Sequence, residues 1–172
     1  EGKSMISHVF QKAIDADVGE VYVATEDQEI KDDVEKNGGQ VILTSKDPKT
    51  GTDRIYEALK KIDNKDIELV MNLQGDEPMI NVKDIKRLHN QMINSKSKMG
   101  TLGSIILNDS LYQKENIVKV ITKEALDLNK LSAAIKFTRK SSKDERNVYH
   151  HQGIYCYQFE VLKKFVSFKQ SI

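Results

Sequence analysis

The stretch Val70-Met71-Asn72-Leu73-Gln74-Gly75-Asp76-Glu77-Pro78 gathers the residue types that do chemistry more tightly than any other part of the chain. An apolar run suited to the inside of a sheet ends in an amide, a glycine, two carboxylates and a proline. Burying an uncompensated carboxylate costs several kcal/mol even after relaxation, so Asp76 and Glu77 need solvent, a basic partner or a metal ion. Strand ends of this kind are where open α/β sheets place their ligands. Gln74 can both donate and accept hydrogen bonds, which suits a hydroxylated ligand and suits closing the turn equally well. A second group, Thr50-Gly51-Thr52-Asp53-Arg54, sits between an expected strand and an expected helix. Backbone N–H groups and hydroxyls at such a junction receive anionic or polar ligand atoms. The bland alternative makes Thr52 a helix cap and Arg54 a solvated helix residue. Lys136, Arg139 and Lys140 form a local basic cluster able to serve a small anion, and arginine makes paired hydrogen bonds to carboxylates.

The elements that must position these groups follow from periodicity. Met5, Ile6, Val9, Phe10, Ala13 and Ile14 recur at helical spacing and predict an amphipathic helix. Val21 to Ala24 reads as a short buried strand, followed by a polar helix from about Asp27 to Asn37. Gly38-Gly39 supplies its stop, because glycine takes the left-handed conformation that closes helices. Val41 to Leu43 is the next strand, Ile55, Ala58, Leu59 and Ile62 mark a helix face, and Leu69 to Leu73 form a further strand. A helix starts near Asn81, a good N-cap, with Ile85, Leu88 and Met92 on its buried side. Three strand–helix alternations before residue 98 predict an α/β fold with a mostly parallel central sheet and helices on both faces. Beyond Lys98 the pattern changes. Leu102–Leu107, Val118–Thr122, Ala133–Thr138 and Gly153–Phe159 read as strands without intervening helices, so this half is expected to be mixed or antiparallel. Val161–Val166 reads as a last helical segment. Tyr155, Tyr157 and Phe159 alternate at strand period and are expected on one packed sheet face, a candidate surface for a second copy.

The totals bound the function. A chain of 172 residues suffices for one substantial domain, and 38% hydrophobic with 31% charged residues is ordinary for a soluble globular protein. A net charge of +1 gives no broad electrostatic case for nucleic acid or for an anionic membrane. The single cysteine, Cys156, excludes an intrachain disulfide. No apolar run approaches the roughly 20 residues needed to span a bilayer, and the polar start lacks the apolar core of a signal peptide, so a cytoplasmic location is expected. No Gly-x-Gly-x-x-Gly follows a strand, which disfavours a dinucleotide-dependent dehydrogenase.

Taken in order, several segments resemble the 3-deoxy-manno-octulosonate cytidylyltransferase (CMP-Kdo synthetase) family. Gly2-Lys3-Ser4-Met5-Ile6-Ser7-His8-Val9 is similar to the family's opening motif, with Ser4 in place of proline. Val21–Asp27, Gly38–Val41 with Thr44-Ser45, Thr50–Arg54, Asn72–Pro78, Asn116–Val120 and His151–Tyr157 continue the match, while Leu126–Asn147 departs from it. The resemblance implies a Rossmann-like nucleotidyltransferase fold and transfer of CMP from CTP to the anomeric hydroxyl of 3-deoxy-D-manno-octulosonate (Kdo), for lipopolysaccharide synthesis. It implies Mg²⁺ as cofactor, Asp76 as its ligand and catalytic group, and Gly51, Thr52 and Arg54 as nucleotide contacts. Gln74, Arg139 and His151 would hold the sugar acid, and a homodimer would be the working form. In isolation, Arg139 and His151 read as surface or core-edge side chains. Residues 1–172 are expected to form one domain, with 1–97 as the nucleotide-binding half and 98–172 as the half for sugar binding and dimerisation.

The chain begins directly with a helix, where a nucleotide-binding sheet usually offers a strand and phosphate loop first. Both ends therefore read as cut, and the resemblance places a phosphate-binding loop and a C-terminal part outside the sequence. On that reading the fragment by itself is expected to be inactive. The rival functions are a cytidylyltransferase for a related sugar acid, such as amino-Kdo or sialic acid, and a catalytically inactive oligomerisation fragment.

Overall fold

The computed structural model describes residues 3–62 and 66–168. Helix α1 (Met5–Ala16) starts where the Ser4 hydroxyl accepts from the Ser7 N–H, and it ends at Asp17, which takes a left-handed conformation. Strand β1 (Tyr22–Thr25) leads to α2 (Gln28–Lys36), whose first turn is capped by the Asp27 carboxylate. Gly38 at φ 80° closes α2 as expected. Gly39 must stay bare: a β-carbon there would lie 2.4 Å from a Val34 methyl. Strand β2 (Gln40–Leu43) runs parallel to β1, from Tyr22↔Gln40 to Thr25↔Leu43. After α3 (Gly51–Leu59) come β3 (Leu69–Leu73) and α4 (Val82–Ile93), the latter capped by Asn81 as its sequence predicts. The second half supplies β4 (Met99–Ser104), a short 3₁₀ turn at Asp109–Tyr112, β5 (Lys119–Thr122), β6 (Ala134–Thr138), β7 (Val148–Gln158) and α5 (Phe159–Val166).

Parallel pairing among the described residues is that of β1 with β2, while β3 to β7 form a five-stranded antiparallel sheet. Strand β7 is its hub. Its eleven residues pair with β3 from Ile154 to Gln158, with β5 from Val148 to His150, and with β4 between His150 and Tyr157. His150 pairs with both Lys119 and Ser104, and Tyr155 with both Asn72 and Thr101, so β3 and β5 share one edge of β7 and β4 takes the other. The C-terminal end of β3 and the N-terminal start of β5 consequently meet across His151-Gln152-Gly153.

Three apolar clusters hold these layers. Ile85, Leu88 and Met92 of α4 pack on Ile154 and Cys156 of β7, Phe10 of α1 packs on Val23 and Val34, and Leu162 of α5 packs on Val70 and Tyr157. A cavity of about 1100 Å³ lies between β1 and β3. Consecutive residues of both strands line it, Tyr22 to Thr25 and Leu69 to Leu73, so the strands turn their edges toward it.

Three sequence expectations are corrected. The strand expected at Leu102–Leu107 lies at Met99–Ser104, because Gly100 lets it press against α4: a β-carbon there would sit 2.9 Å from the Met92 sulfur. Strand β7 begins at Val148 rather than Gly153, and Phe159 opens α5 instead of ending the strand. Tyr157 is only 3% exposed and packs with Leu162 of α5, so this part of the aromatic face is closed by the chain itself and offers nothing to a second copy.

Candidate active site

The apolar run of β3 stops at Leu73, and Gln74, Gly75 and Asp76 carry the chain out over the cavity rim. The Gln74 N–H donates to the Gly153 carbonyl at 3.3 Å, the last strand-like bond before the turn. Glu77 folds back, and its Oε1 accepts from the Gly153 N–H at 3.1 Å. A β-carbon on Gly153 would meet Gln74 Oε1 at 2.8 Å and Glu77 Oε1 at 2.9 Å. Both side chains therefore rest on bare backbone, an approach only glycine permits. Glu77 organises the loop, while the Asp76 carboxylate is exposed and engaged by no hydrogen bond or ion pair among the described residues.

Thr50, not Thr52, caps α3. Its hydroxyl accepts from the Asp53 N–H while the Asp53 carboxylate accepts from the Thr50 N–H, a reciprocal box satisfying two orphan donors. Gly51 and Arg54 line the same cavity as Gln74 and Asp76. Arg54 is not a solvated helix residue. Its guanidinium donates to the Thr44 hydroxyl and the Ser45 carbonyl and pairs with Glu26, so it ties α3 to the segments following β1 and β2. Two of its five N–H donors remain for another partner. The Thr52 hydroxyl is turned to Tyr157, partly offsetting the burial that raises that phenol's pKa, and Thr52 does not line the cavity. Behind Arg54, Glu57 accepts from the Ser45 N–H and hydroxyl, each at 2.7 Å, and pairs with Lys61; the Ser45 hydrogen bonds hold its carboxyl at a pKa of about 2.

His151 lies in β7 between the end of β3 and the start of β5, its N–H donating to the Val118 carbonyl at 2.9 Å. Its ring sits between Phe137, edge-on at 5.1 Å, and Tyr155 at 5.3 Å. The Thr101 hydroxyl donates its one proton to the Ile154 carbonyl at 2.6 Å, so its oxygen receives the His151 Nε2–H at 2.9 Å. That assignment leaves Nδ1 as an acceptor. Burial and the neighbouring His150 lower the His151 pKa, favouring the neutral ring. Arg139 is exposed beyond β6, its guanidinium donating to the Glu115 carbonyl at 2.8 Å. Gln74, Asp76, Gly51 and Arg54 thus share one cavity, with His151 two residues along β7 from Gly153, whereas neither Arg139 nor His151 lines the cavity itself. The Glu77–Gly153 clamp and the Thr101–His151 bond span 76 and 50 residues, and no local sequence signal marks either.

The chain is similar to known proteins in sequence and in fold. The protein named 3-deoxy-manno-octulosonate cytidylyltransferase in Bartonella tribocorum is 42% identical over 172 residues, covering 99% of this chain and 70% of the relative. The protein of that name in Elusimicrobium minutum is 37% identical, with the same two coverages. A solved structure of CMP:2-keto-3-deoxy-manno-octonic acid synthetase complexed with CTP superposes with a TM-score of 0.82 at 32% identity, covering 99% of this chain and 70% of that one. The 4-diphosphocytidyl-2C-methyl-D-erythritol synthase of Anaerococcus prevotii shares the fold, with a TM-score of 0.63 at 17% identity over 99% of this chain and 71% of its own. The expected α/β nucleotidyltransferase fold is borne out by these superpositions. The cytidylyltransferase family model matches residues 1–172, and with identity this high over so much of its relatives, the chain belongs to that family.

Proposed function

We propose that this chain supplies the framework for transferring CMP from CTP to the anomeric hydroxyl of Kdo, yielding CMP-Kdo and pyrophosphate for lipopolysaccharide synthesis. The observation that carries the reading is 42% identity along 172 residues to a relative named for this substrate. The sugar hydroxyl attacks the α-phosphorus and pyrophosphate leaves, a transfer accelerated mainly by positioning and charge neutralisation. Residues 1–97 serve the nucleotide, apart from Gln74 at its edge, and 98–172 serve the sugar acid. Gly51, with its backbone at the start of α3, and Arg54, with its two unused donors, face the nucleotide across the cavity. Thr52 steadies that helix start through Tyr157. Gln74 receives sugar hydroxyls, His151 offers Nδ1 to a hydroxyl proton, and the Arg139 guanidinium pairs with the sugar carboxylate.

No group of three or more His, Cys, Asp or Glu side chains gathers as a metal centre among the described residues. The donor set fits Mg²⁺ in its phosphate-sharing form, with one carboxylate, that of Asp76, completed by substrate oxygens and water. The ion, when bound, offsets phosphate charge. The same reading makes the protein a cytoplasmic homodimer. Among the described residues no helix is long and apolar enough to cross a membrane, and the exposed Ile135 and Phe137 on edge strand β6 favour contact with a second copy.

The test is pyrophosphate release with Mg²⁺, CTP and Kdo by the protein at its full natural length. Release with amino-Kdo or sialic acid but not with Kdo rejects the named substrate, and no release with any of them favours a non-catalytic fragment. Asp76→Asn should lower kcat/KM by about 100-fold while leaving the melting temperature in place. Near-normal turnover in that variant refutes the metal assignment.

A further inference from the structure

Lys119 is the most deeply buried charged residue described, with none of its surface exposed, and no carboxylate among the described residues pairs with it. Its Nζ donates instead to three backbone carbonyls: Lys114 at 2.7 Å, Ile117 at 2.9 Å and Arg139 at 2.7 Å. Three acceptors around one nitrogen require three N–H donors, and only the ammonium form has them, since a neutral amine would turn its lone pair toward a carbonyl oxygen. Burial lowers the Lys119 pKa, so these three bonds are what keep the proton in place.

The backbone gripped in this way carries two of the three groups assigned to the sugar acid, Arg139 and His151. The Arg139 carbonyl is one of the three acceptors, and the Arg139 guanidinium reaches back to Glu115, inside the turn whose Lys114 and Ile117 carbonyls are the other two. The next carbonyl in that turn, Val118, receives the His151 N–H. Lys119 itself pairs across the sheet with Thr138, immediately before Arg139, and with His150, immediately before His151. One ammonium therefore joins the turn at 114–118, the chain leaving β6, and the stretch of β7 lying between β5 and β3.

We propose that Lys119 is a positioning residue for the sugar-acid end of the site, its ammonium fixing the relative placement of Arg139 and His151 without touching substrate. The proposal rests on the cytidylyltransfer reading above. A methionine at 119 fills a similar volume and leaves the Ile117 and Arg139 carbonyls without a donor, so the turns relax against one another. Nothing in this network reaches Gly51 or Arg54, so the nucleotide side is spared.

The experiment measures steady-state pyrophosphate release by the protein at its full natural length with Mg²⁺, CTP and Kdo. Lys119→Met should raise KM for the sugar acid about tenfold, while KM for CTP and kcat move less than about threefold. Combined with Arg139→Ala, its effect should fall short of the product of the two single effects, because residues acting through one contact do not add. If Lys119→Met does not fold, Lys119→Arg decides. Its planar fork keeps the charge but cannot place three donors at one point, so KM for the sugar acid should still rise severalfold while that for CTP holds. An active enzyme whose variants shift both KM values together, or neither, or whose double variant is fully multiplicative, overturns this proposal alone. An unaltered full-length protein inactive with every sugar acid overturns the cytidylyltransfer reading, and this proposal with it.

Discussion

Gly153→Ala isolates the contact that aims Gln74. Residue 153 has no positive φ, so the backbone accepts alanine, and the new methyl points at the ends of two side chains. Gln74 Oε1 would lie at 2.8 Å and Glu77 Oε1 at 2.9 Å, against about 3.4 Å for ordinary contact. Each must retreat by roughly half an ångström, which flexible side-chain ends can do at small energetic cost. The unfolded chain loses entropy with alanine, a gain of about 0.4–1 kcal/mol, offsetting a lengthened bond from the 153 N–H to Glu77. Net stability should thus change by less than about 1 kcal/mol, or about 2–4 °C in melting temperature for a chain of this size. Activity responds differently, because misplacing a substrate-positioning group by about 1 Å can cost 100-fold in rate; half that displacement predicts a loss of about tenfold in kcat/KM for the sugar acid. Thermal melts and pyrophosphate release with Kdo varied at saturating CTP give the two numbers. Unchanged kcat/KM refutes the placement of Gln74, and a melting point lowered by more than about 8 °C shows that the glycine serves the sheet instead.

Two further outcomes follow from the packing and from Glu57. Leu88, 1% exposed between α4 and β7, should cost about 2–5 kcal/mol as Leu88→Ala, read by urea denaturation; a loss below about 1 kcal/mol contradicts the core assignment. The Glu57 carboxyl has a folded pKa of about 2 against an ordinary 4.5, so its contribution is full above about pH 4.5 and fades as pH falls toward 2. Glu57→Gln should therefore melt lower than the unaltered protein at pH 7, with the gap closing in acid. A gap constant from pH 7 to pH 2.5 rules out the Ser45–Glu57 tie as its source.

The helical faces were legible because single residues set them: Asn81 caps α4 and Gly38 ends α2 through purely local physics. The Gln74–Asp76 lip was legible for a similar reason, an apolar run broken by carboxylates. Strand β7 was not. Its first five residues, Val148 to Gln152, are mostly polar and show no apolar period, and they are strand because β4 and β5 flank them. Gly100 and Gly103 hid β4 in the same way, since glycine weakens local strand preference while allowing close approach to α4 and to Tyr149. Thr52 was the cap the sequence suggested, but Thr50 takes that place because Asp53 completes the reciprocal box with it. At Arg54 the sequence showed a cation on a helix but not the carboxylate from 28 residues earlier that occupies it.

The two sheets are coupled through helices across the cavity that β1 and β3 line. No ladder bond bridges the two sheets among the described residues, and they are joined instead by α1 against α4 and by α3, which packs on both β1 and Val70 of β3. Arg54 bridges that boundary, since its helix packs through Ile55, Tyr56 and Leu59 on Val70 and Tyr157 while its guanidinium pairs with Glu26 beyond β1, so losing this one cation would loosen one sheet from the other.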